Sequence, residues 1–324
     1  MAGSVSWQPS CQLAALKLRA RILSETRQFF SERGVLEVDT PLLSSATVTD
    51  LHLASIAATV DLPNHKSPLQ MYLQTSPEFA MKRLLASGSG PIYQTSKSFR
   101  NGESGKRHNP EFTMLEWYRP GFDLAALMDE VAEFISSVAG LQTPDVMTYQ
   151  QAFEAHLGIN PHRVDDDVLH QLAKEKTGIT GDSLSRDDYL DLLLSHCIEA
   201  HLGHDRPVFM TEYPASQASL AKVKEINGVL LAQRFELYVN GLELANGYDE
   251  LVDGEEQLRR FESDNNERQI NGLPEVAIDY RLVDALKAGL PECSGVALGL
   301  DRLQMVMQGA SSIGEVIAFP VERA

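Results

Sequence analysis

The sequence predicts an α+β fold in which a mainly antiparallel sheet is flanked by helices. Three observations carry this expectation. The runs MYLQ, PIYQTSKSFR and EFTMLEWY follow one another as strands separated by turns or loops. Asn240-Gly241, the dipeptide favoured in a two-residue type I′ hairpin, lies between two further strand-like runs. Helical periodicity appears near both groups, at 16–33 and at 124–138.

Taken in chain order, Leu18, Ile22, Phe29 and Phe30 approximate one face of a helix from Leu16 to Arg33, and Gly34 is placed to end it. Val35, Leu36 and Val38 form a short strand that stops at Pro41, and this helix–strand unit offers an exposed edge for a subunit contact. Residues 44–70 mix Ser, Thr, Asp, His and Pro with short apolar pieces before the first strand group. Asp123 can cap an amphipathic helix carrying Leu124, Leu127, Met128, Val131, Ile135 and Val138 up to Gly140. A polar, acidic, helix-like segment at about 161–205 reads as an insertion before a second strand group that begins near Pro207. No repeat, low-complexity tract or linker marks a further domain, so residues 1–324 are expected to form one.

Composition excludes several classes. With 28 basic against 45 acidic residues, the net charge of -17 repels phosphate-rich polymers at long range. Cys11, Cys197 and Cys293 form no C-x-x-C pair and are odd in number, which disfavours a disulfide framework and a structural zinc site. The first residues lack a basic start and an apolar run, and no segment has the apolar length of a membrane span, so a cytoplasmic location away from the membrane is expected.

Three constellations carry chemistry. In FRNGESGKRHNPEFTMLEWY, Arg100 ends one strand, a loop with Gly102, Gly105, Lys106 and His108 follows, and Phe112 opens the next, so the hairpin can fold cationic groups over a polyphosphate. Alternation places Phe112, Met114, Glu116 and Tyr118 on one face. A surface hairpin with solvated charges is the plain alternative, but Glu116 within an apolar strand is costly unless something cationic pairs with it, which invites an ammonium ligand. In RFELYVNGLELANGYDE, the hairpin register pairs Val239 with Leu242 and Tyr238 with Glu243, leaving Glu236 on the Glu243 face. Two such carboxylates suit Mg2+, although an exposed face with unrelated acids fits equally. Asn246 and Glu250, just beyond the second strand, together with Glu78 in TSPEF, would make the pocket acidic. In GVALGLDRLQMVM, Gly295, Ala297 and Gly299 leave room for a flat ligand, and Arg302 near a helix start suits a terminal phosphate; a glycine-rich core strand has comparable weight.

In order and spacing these motifs resemble the class II aminoacyl-tRNA synthetases, most closely the catalytic domain of lysyl-tRNA synthetase. The helix–strand–Pro41 unit, the FR…HNPEF run and GVALGLDR are similar to that family's three motifs, over nearly the whole chain. The catalytic motifs begin almost at the first residue, leaving no room for an anticodon-binding β-barrel. Ser76 stands where the synthetases usually carry alanine and Ala297 where they carry glycine, and PASQASL (214–220) adds to a resemblance to the paralogues that attach β-lysine to a lysine of elongation factor P. One departure is that the family commonly has glutamate two residues after the motif arginine, reading adenine, where this chain has Gly102 followed by Glu103.

The resemblance implies ATP and Mg2+ as cofactors and a twofold homodimer. It implies that Arg100 holds the α-phosphate and substrate carboxylate, that His108 and Arg302 bind distal phosphates, that Phe112 stacks on adenine and Asn109 contacts the nucleotide, and that Gly102, Glu103, Leu244 and Gly299 complete the ATP site. Glu236 and Glu243 would hold magnesium, with Glu243 also in the ATP site. Glu78 would meet the backbone-type amine, Glu116, Tyr118 and Glu250 the terminal ammonium, Asn246 the carboxylate, and Ser76 would accommodate β-amino geometry. The implied acceptor is elongation factor P, not tRNA. A truncated lysyl-tRNA synthetase-like enzyme with a tRNA or other acceptor, and a non-catalytic amino-acid-binding regulator, are the other readings of the same residues.

Overall fold

A computed structural model describes residues 7–179 and 184–324 of the chain. The chain opens with α1 (Leu13–Glu32), which buries Ile22, Phe29 and Phe30 of the expected face and leaves Leu18 half-buried, and Gly34 follows it at φ +64. Then come β1 (Leu36–Glu37), β2 (Leu43–Ser44), β3 (Ile56–Val60), β4 (Leu69–Leu73), α2 (Glu78–Ala86), β5 (Ile92–Phe99) and β6 (Glu111–Pro120). Next are α3 (Leu124–Ala139), β7 (Asp145–Thr148), α4 (Tyr149–Leu157), α5 (Asp166–Thr177), α6 (Arg186–Leu193), β8 (Val208–Pro214), β9 (Val223–Ile226), β10 (Val229–Val239) and β11 (Leu242–Asp249). The chain finishes with α7 (Gly254–Ile270), α8 (Tyr280–Gly289), β12 (Cys293–Gly299) and α9 (Leu300–Gln308). The class is α+β with mainly antiparallel strand pairing, as expected.

Two compact units emerge. The first comprises Met1–Gly121, Leu251–Glu292 and Ala297–Ala324. Its strands β1, β5 and β6 lie side by side, β1 parallel to β5 and β5 antiparallel to β6, with unbroken register from Ile92↔Tyr118 to Phe99↔Glu111. A small sheet of β2, β4 and β3 belongs to the same unit. Phe30 of α1 stacks on Tyr93 of β5 at 4.4 Å between centroids and meets Trp117 of β6 edge-on at 5.3 Å, which pins the helix to the hairpin.

The second unit comprises Phe122–Glu250 and Cys293–Val296. Asp123 caps α3 by accepting from the Ala126 amide at 2.9 Å, and Gly140 ends the helix in a left-handed conformation. Strands β11, β10, β8 and β7 lie in that order, with β9 along β10. Tyr149, Phe153, Leu190, Leu193, Ile198, Met210, Tyr213 and Tyr238 share one buried core. The acidic insertion is helical, but it is not one regular helix: α6 gives way to a π-turn at Leu194–Ile198 and a short 3₁₀ turn at Glu199–His201. Leu193, Leu194 and Ile198 are all buried along this stretch. Residues 180–183 of that segment lie outside the described residues.

Among the described residues, no helix is long and apolar enough to cross a membrane.

Candidate active site

In the first unit, the hairpin β5–β6 builds two clusters. Glu116 is 1% exposed, as its position in an apolar strand predicts. Its Oε1 accepts from the Ser76 hydroxyl at 2.6 Å and its Oε2 from the Tyr118 hydroxyl at 3.2 Å. Ser76 also accepts from the Glu78 amide at 3.0 Å, which ties the start of α2 to the strand. Glu78 pairs with Lys82 one turn later, Nζ to Oε1 at 2.7 Å, and Lys82 is itself 1% exposed. Lys82 was not foreseen, although the Glu-x-x-x-Lys spacing on one helix face announces such a pair.

The loop of the hairpin gathers the second cluster. The Arg100 guanidinium lies 5.1 Å from the centre of the Phe112 ring and 3.7 Å from the Glu103 carboxylate, while its Nε is buried without a hydrogen-bond partner among the described residues. Gly102 adopts φ +81, the left-handed region in which a side chain at the family's glutamate position would be strained. Glu103 beside it turns to Arg100 instead.

His108 meets Arg302 with Nε2 2.7 Å from its guanidinium. Burial pushes the His108 ring below the ordinary imidazole range, Arg302, Arg100 and Arg107 push the same way, and Glu103 opposes them. The ring is therefore neutral near pH 7, and its Nε2 accepts from Arg302.

Arg302 owes its place to its neighbour. Asp301, in the first turn of α9, accepts from the Thr113 amide of β6 at 2.6 Å and pairs with Arg19 of α1. Gly299 has open space where a side chain would begin, with only the Arg302 side chain in ordinary contact, as expected of a strand end left clear. Asn109 donates through Nδ2 to the Glu111 carbonyl at 2.6 Å and accepts at Oδ1 from the Val321 amide at 3.0 Å, so its side chain fastens the C-terminal segment to the loop.

In the second unit, Asn240 and Gly241 both have positive φ, and the register pairs Val239 with Leu242 and Tyr238 with Glu243, as read from the sequence. A bulge then shifts the ladder, so Leu237 opposes Ala245 and Glu236 opposes Asn246. Buried Leu244 is the residue passed over. Asn246 thus lies inside β11, not beyond it, and its amide reaches Glu236 at 3.4 Å while its Oδ1 is buried without a partner among the described residues. Glu250 follows the strand, 1% exposed, its amide held by the Cys293 carbonyl at 3.0 Å.

Glu236 is the centre of a network that went unforeseen. Its Oε2 accepts from Tyr213 at 2.6 Å and Tyr238 at 2.5 Å, and its Oε1 from Arg234 and Asn246. Arg234 also donates to the Gln217 carbonyl at 2.8 Å and lies over the Tyr213 ring. Burial pushes the Glu236 carboxyl up, Arg234 pulls it down and Glu243 pushes it up again. Burial works against the Arg234 charge too, but Glu236, Tyr248, Tyr213 and Glu243 outweigh it and raise its pKa. Alternation along RFELY places residues 234, 236 and 238 on one strand face, and that signal was available in the sequence.

This donor set bears on magnesium. Both Glu236 oxygens already accept two donors each, so Glu236 would reach a metal only by exchanging Arg234 or Asn246. Glu243, on the same face and directly opposite Tyr238, is the carboxylate whose chemistry suits the ion.

The sequence matches the family model for tRNA synthetases class II (D, K and N) over residues 7–323. It is 51% identical to the elongation factor P–(R)-β-lysine ligase of Yersinia enterocolitica over 326 aligned positions that cover 100% of both chains. The proteins of the same name from Salmonella gallinarum and Salmonella dublin are 50% and 49% identical, again over 100% of each chain.

Proposed function

Because the chain belongs to the class II tRNA synthetase family, we propose that it is an ATP-dependent, AMP-forming ligase. It activates (R)-β-lysine, or lysine, as an aminoacyl-adenylate and joins it in amide linkage to a lysine ε-amine of elongation factor P. The observation that carries the amino-acid side is the buried Glu116 carboxylate in an apolar strand, which accepts from the Ser76 and Tyr118 hydroxyls. A buried carboxylate recognises a cationic group strongly. The acceptor follows from relatives of half-identical sequence and equal length that carry this name.

The substrate carboxylate is already a nucleophile, so adenylation needs placement and neutralisation of charge. Its oxygen attacks the α-phosphorus and pyrophosphate leaves. Arg100 receives the α-phosphate, Phe112 stacks on adenine, and Gly102, Glu103, Asn109 and Gly299 frame the nucleotide. His108 and Arg302, already hydrogen-bonded to each other, receive distal phosphates. Glu243, with Glu236, would hold magnesium, which would supply neutralisation of phosphate charge. Glu78, on the same unit as Glu116, belongs to the amino-acid pocket. In transfer, the acceptor amine attacks the adenylate carbonyl, a C–N bond forms, the amine gives up a proton and AMP departs.

The whole chain acts as one synthetase-like catalytic domain, cytoplasmic and dimeric. The test is pyrophosphate exchange into ATP with each lysine isomer, followed by intact-mass analysis of elongation factor P and of tRNA incubated with the active pair. Amino-acid-dependent exchange and one added β-lysyl or lysyl mass on the factor are expected. Exchange without added mass on the factor overturns the acceptor, and no exchange with either isomer overturns the activity.

A further inference from the structure

Strand β5 carries polar residues where the opposite strand face is the candidate pocket. Gln94, Ser96 and Ser98 lie directly across from Glu116, Met114 and Phe112 in an unbroken antiparallel register, hence on the same face of the hairpin. Gln94 is 1% exposed, and neither its Nε2 nor its Oε1 has a hydrogen-bond partner among the described residues. The hydroxyls of Ser96 and Ser98 are buried without partners in the same sense. A buried primary amide with both ends unsatisfied is costly, and an isosteric apolar side chain would fill the same space without that cost.

The neighbourhood selects what the amide waits for. Residues directly opposite on an antiparallel pair have their Cβ atoms about 5 Å apart, so the Gln94 side chain and the Glu116 carboxylate share one region. An anionic or purely accepting ligand group is repelled there by Glu116. A primary ammonium has three N–H donors, more than a single carboxylate oxygen can use, and an amide oxygen is a fitting second acceptor. Because Gln94 is neutral, it adds this acceptor without placing a second buried carboxylate against Glu116.

We propose that Gln94 is a further specificity-determining residue of the amino-acid pocket, its amide oxygen accepting from the substrate's terminal ammonium beside Glu116. The assignment rests on the amino-acid activation proposed above and adds a residue to it.

The test compares wild type with Gln94→Met, which keeps length and removes the amide, and Gln94→Glu, which restores an acceptor oxygen. Pyrophosphate exchange is measured against amino acid and against ATP, together with thermal unfolding of the ligand-free protein. Loss of a hydrogen bond to a charged group corresponds to a factor of about 10 to 100. The methionine variant is therefore expected to raise KM for the preferred lysine isomer about tenfold or more, to leave KM for ATP within about twofold, and to unfold at or above the wild-type temperature. The glutamate variant recovers part of the lost amino-acid affinity.

A folded methionine variant with amino-acid KM within about twofold of wild type overturns the role of Gln94. So does an equal rise in both KM values, which marks a structural effect. Should the methionine variant not melt cooperatively, Gln94→Ala is read against the same two outcomes. Absence of exchange in wild type with either isomer is a different result: it overturns the activity itself, and with it this assignment.

Discussion

His108 shows how one residue's surroundings set its chemistry. Burial, then Arg302, Arg100 and Arg107, hold its ring below the ordinary value of 6.5 in the ligand-free protein. A bound polyphosphate would reverse the local charge and raise that pKa. The bound state then holds more protons than the free state, so ATP binding tightens as pH falls toward 6.5 and loses this gain as pH rises above the bound-state value. Calorimetry near pH 6.5 in two buffers of different ionisation enthalpy should report net proton uptake, and His108→Gln should abolish it. No uptake in wild type would remove His108 from the phosphate site. Glu116 was legible in the sequence because a carboxylate in an apolar strand demands an explanation. The hydroxyls that answer it were only half legible: Tyr118 follows by alternation, but Ser76 lies forty positions away and meets Glu116 only through the fold.

At the scale of elements, the β5–β6 hairpin depends on a backbone turn that only Gly102 adopts without strain. Its φ of +81 costs an L-residue about 1 kcal/mol, and open space around the position means that no steric clash adds to this. Gly102→Ala should lose about 1 kcal/mol in urea unfolding, whereas Gly105→Ala, also in open space and without a left-handed φ, should change little. Equal effects would show that backbone strain is not what Gly102 relieves. The second hairpin taught a different lesson. Asn240-Gly241 dictated its turn and first two pairs, because a type I′ turn leaves little freedom. The bulge at Leu244 left no mark that the sequence reading could use, yet it brings Asn246 opposite Glu236. Bulges arise from competition between ladder hydrogen bonds and packing, and that balance is not local.

At the scale of the molecule, the proposed dimer makes its own prediction. Leu13 and Leu16 on α1 and Leu36 on β1 are exposed apolar residues on the unit that resembles the family's first motif. Sedimentation at micromolar concentration should find a dimer, and Leu16→Glu with Leu36→Glu should shift it toward monomer; a wild-type monomer would refute the interface. The sequence by itself determined the α+β class, the β5–β6 strand pair, the capped helix after Asp123, the burial of Glu116 and the pairing of Tyr238 with Glu243. Each of these follows from periodicity, a turn residue or the cost of a buried charge, and all act over a few residues. Tertiary structure alone decided that Tyr213 and Asn246 occupy the Glu236 carboxylate and that Asn109 fastens the C-terminal segment. It also left the Gln94 amide buried without a hydrogen-bond partner among the described residues. The physical reason is the same throughout: a buried polar group takes whatever donors and acceptors packing brings within about 3 Å, and packing joins segments that the linear sequence keeps apart.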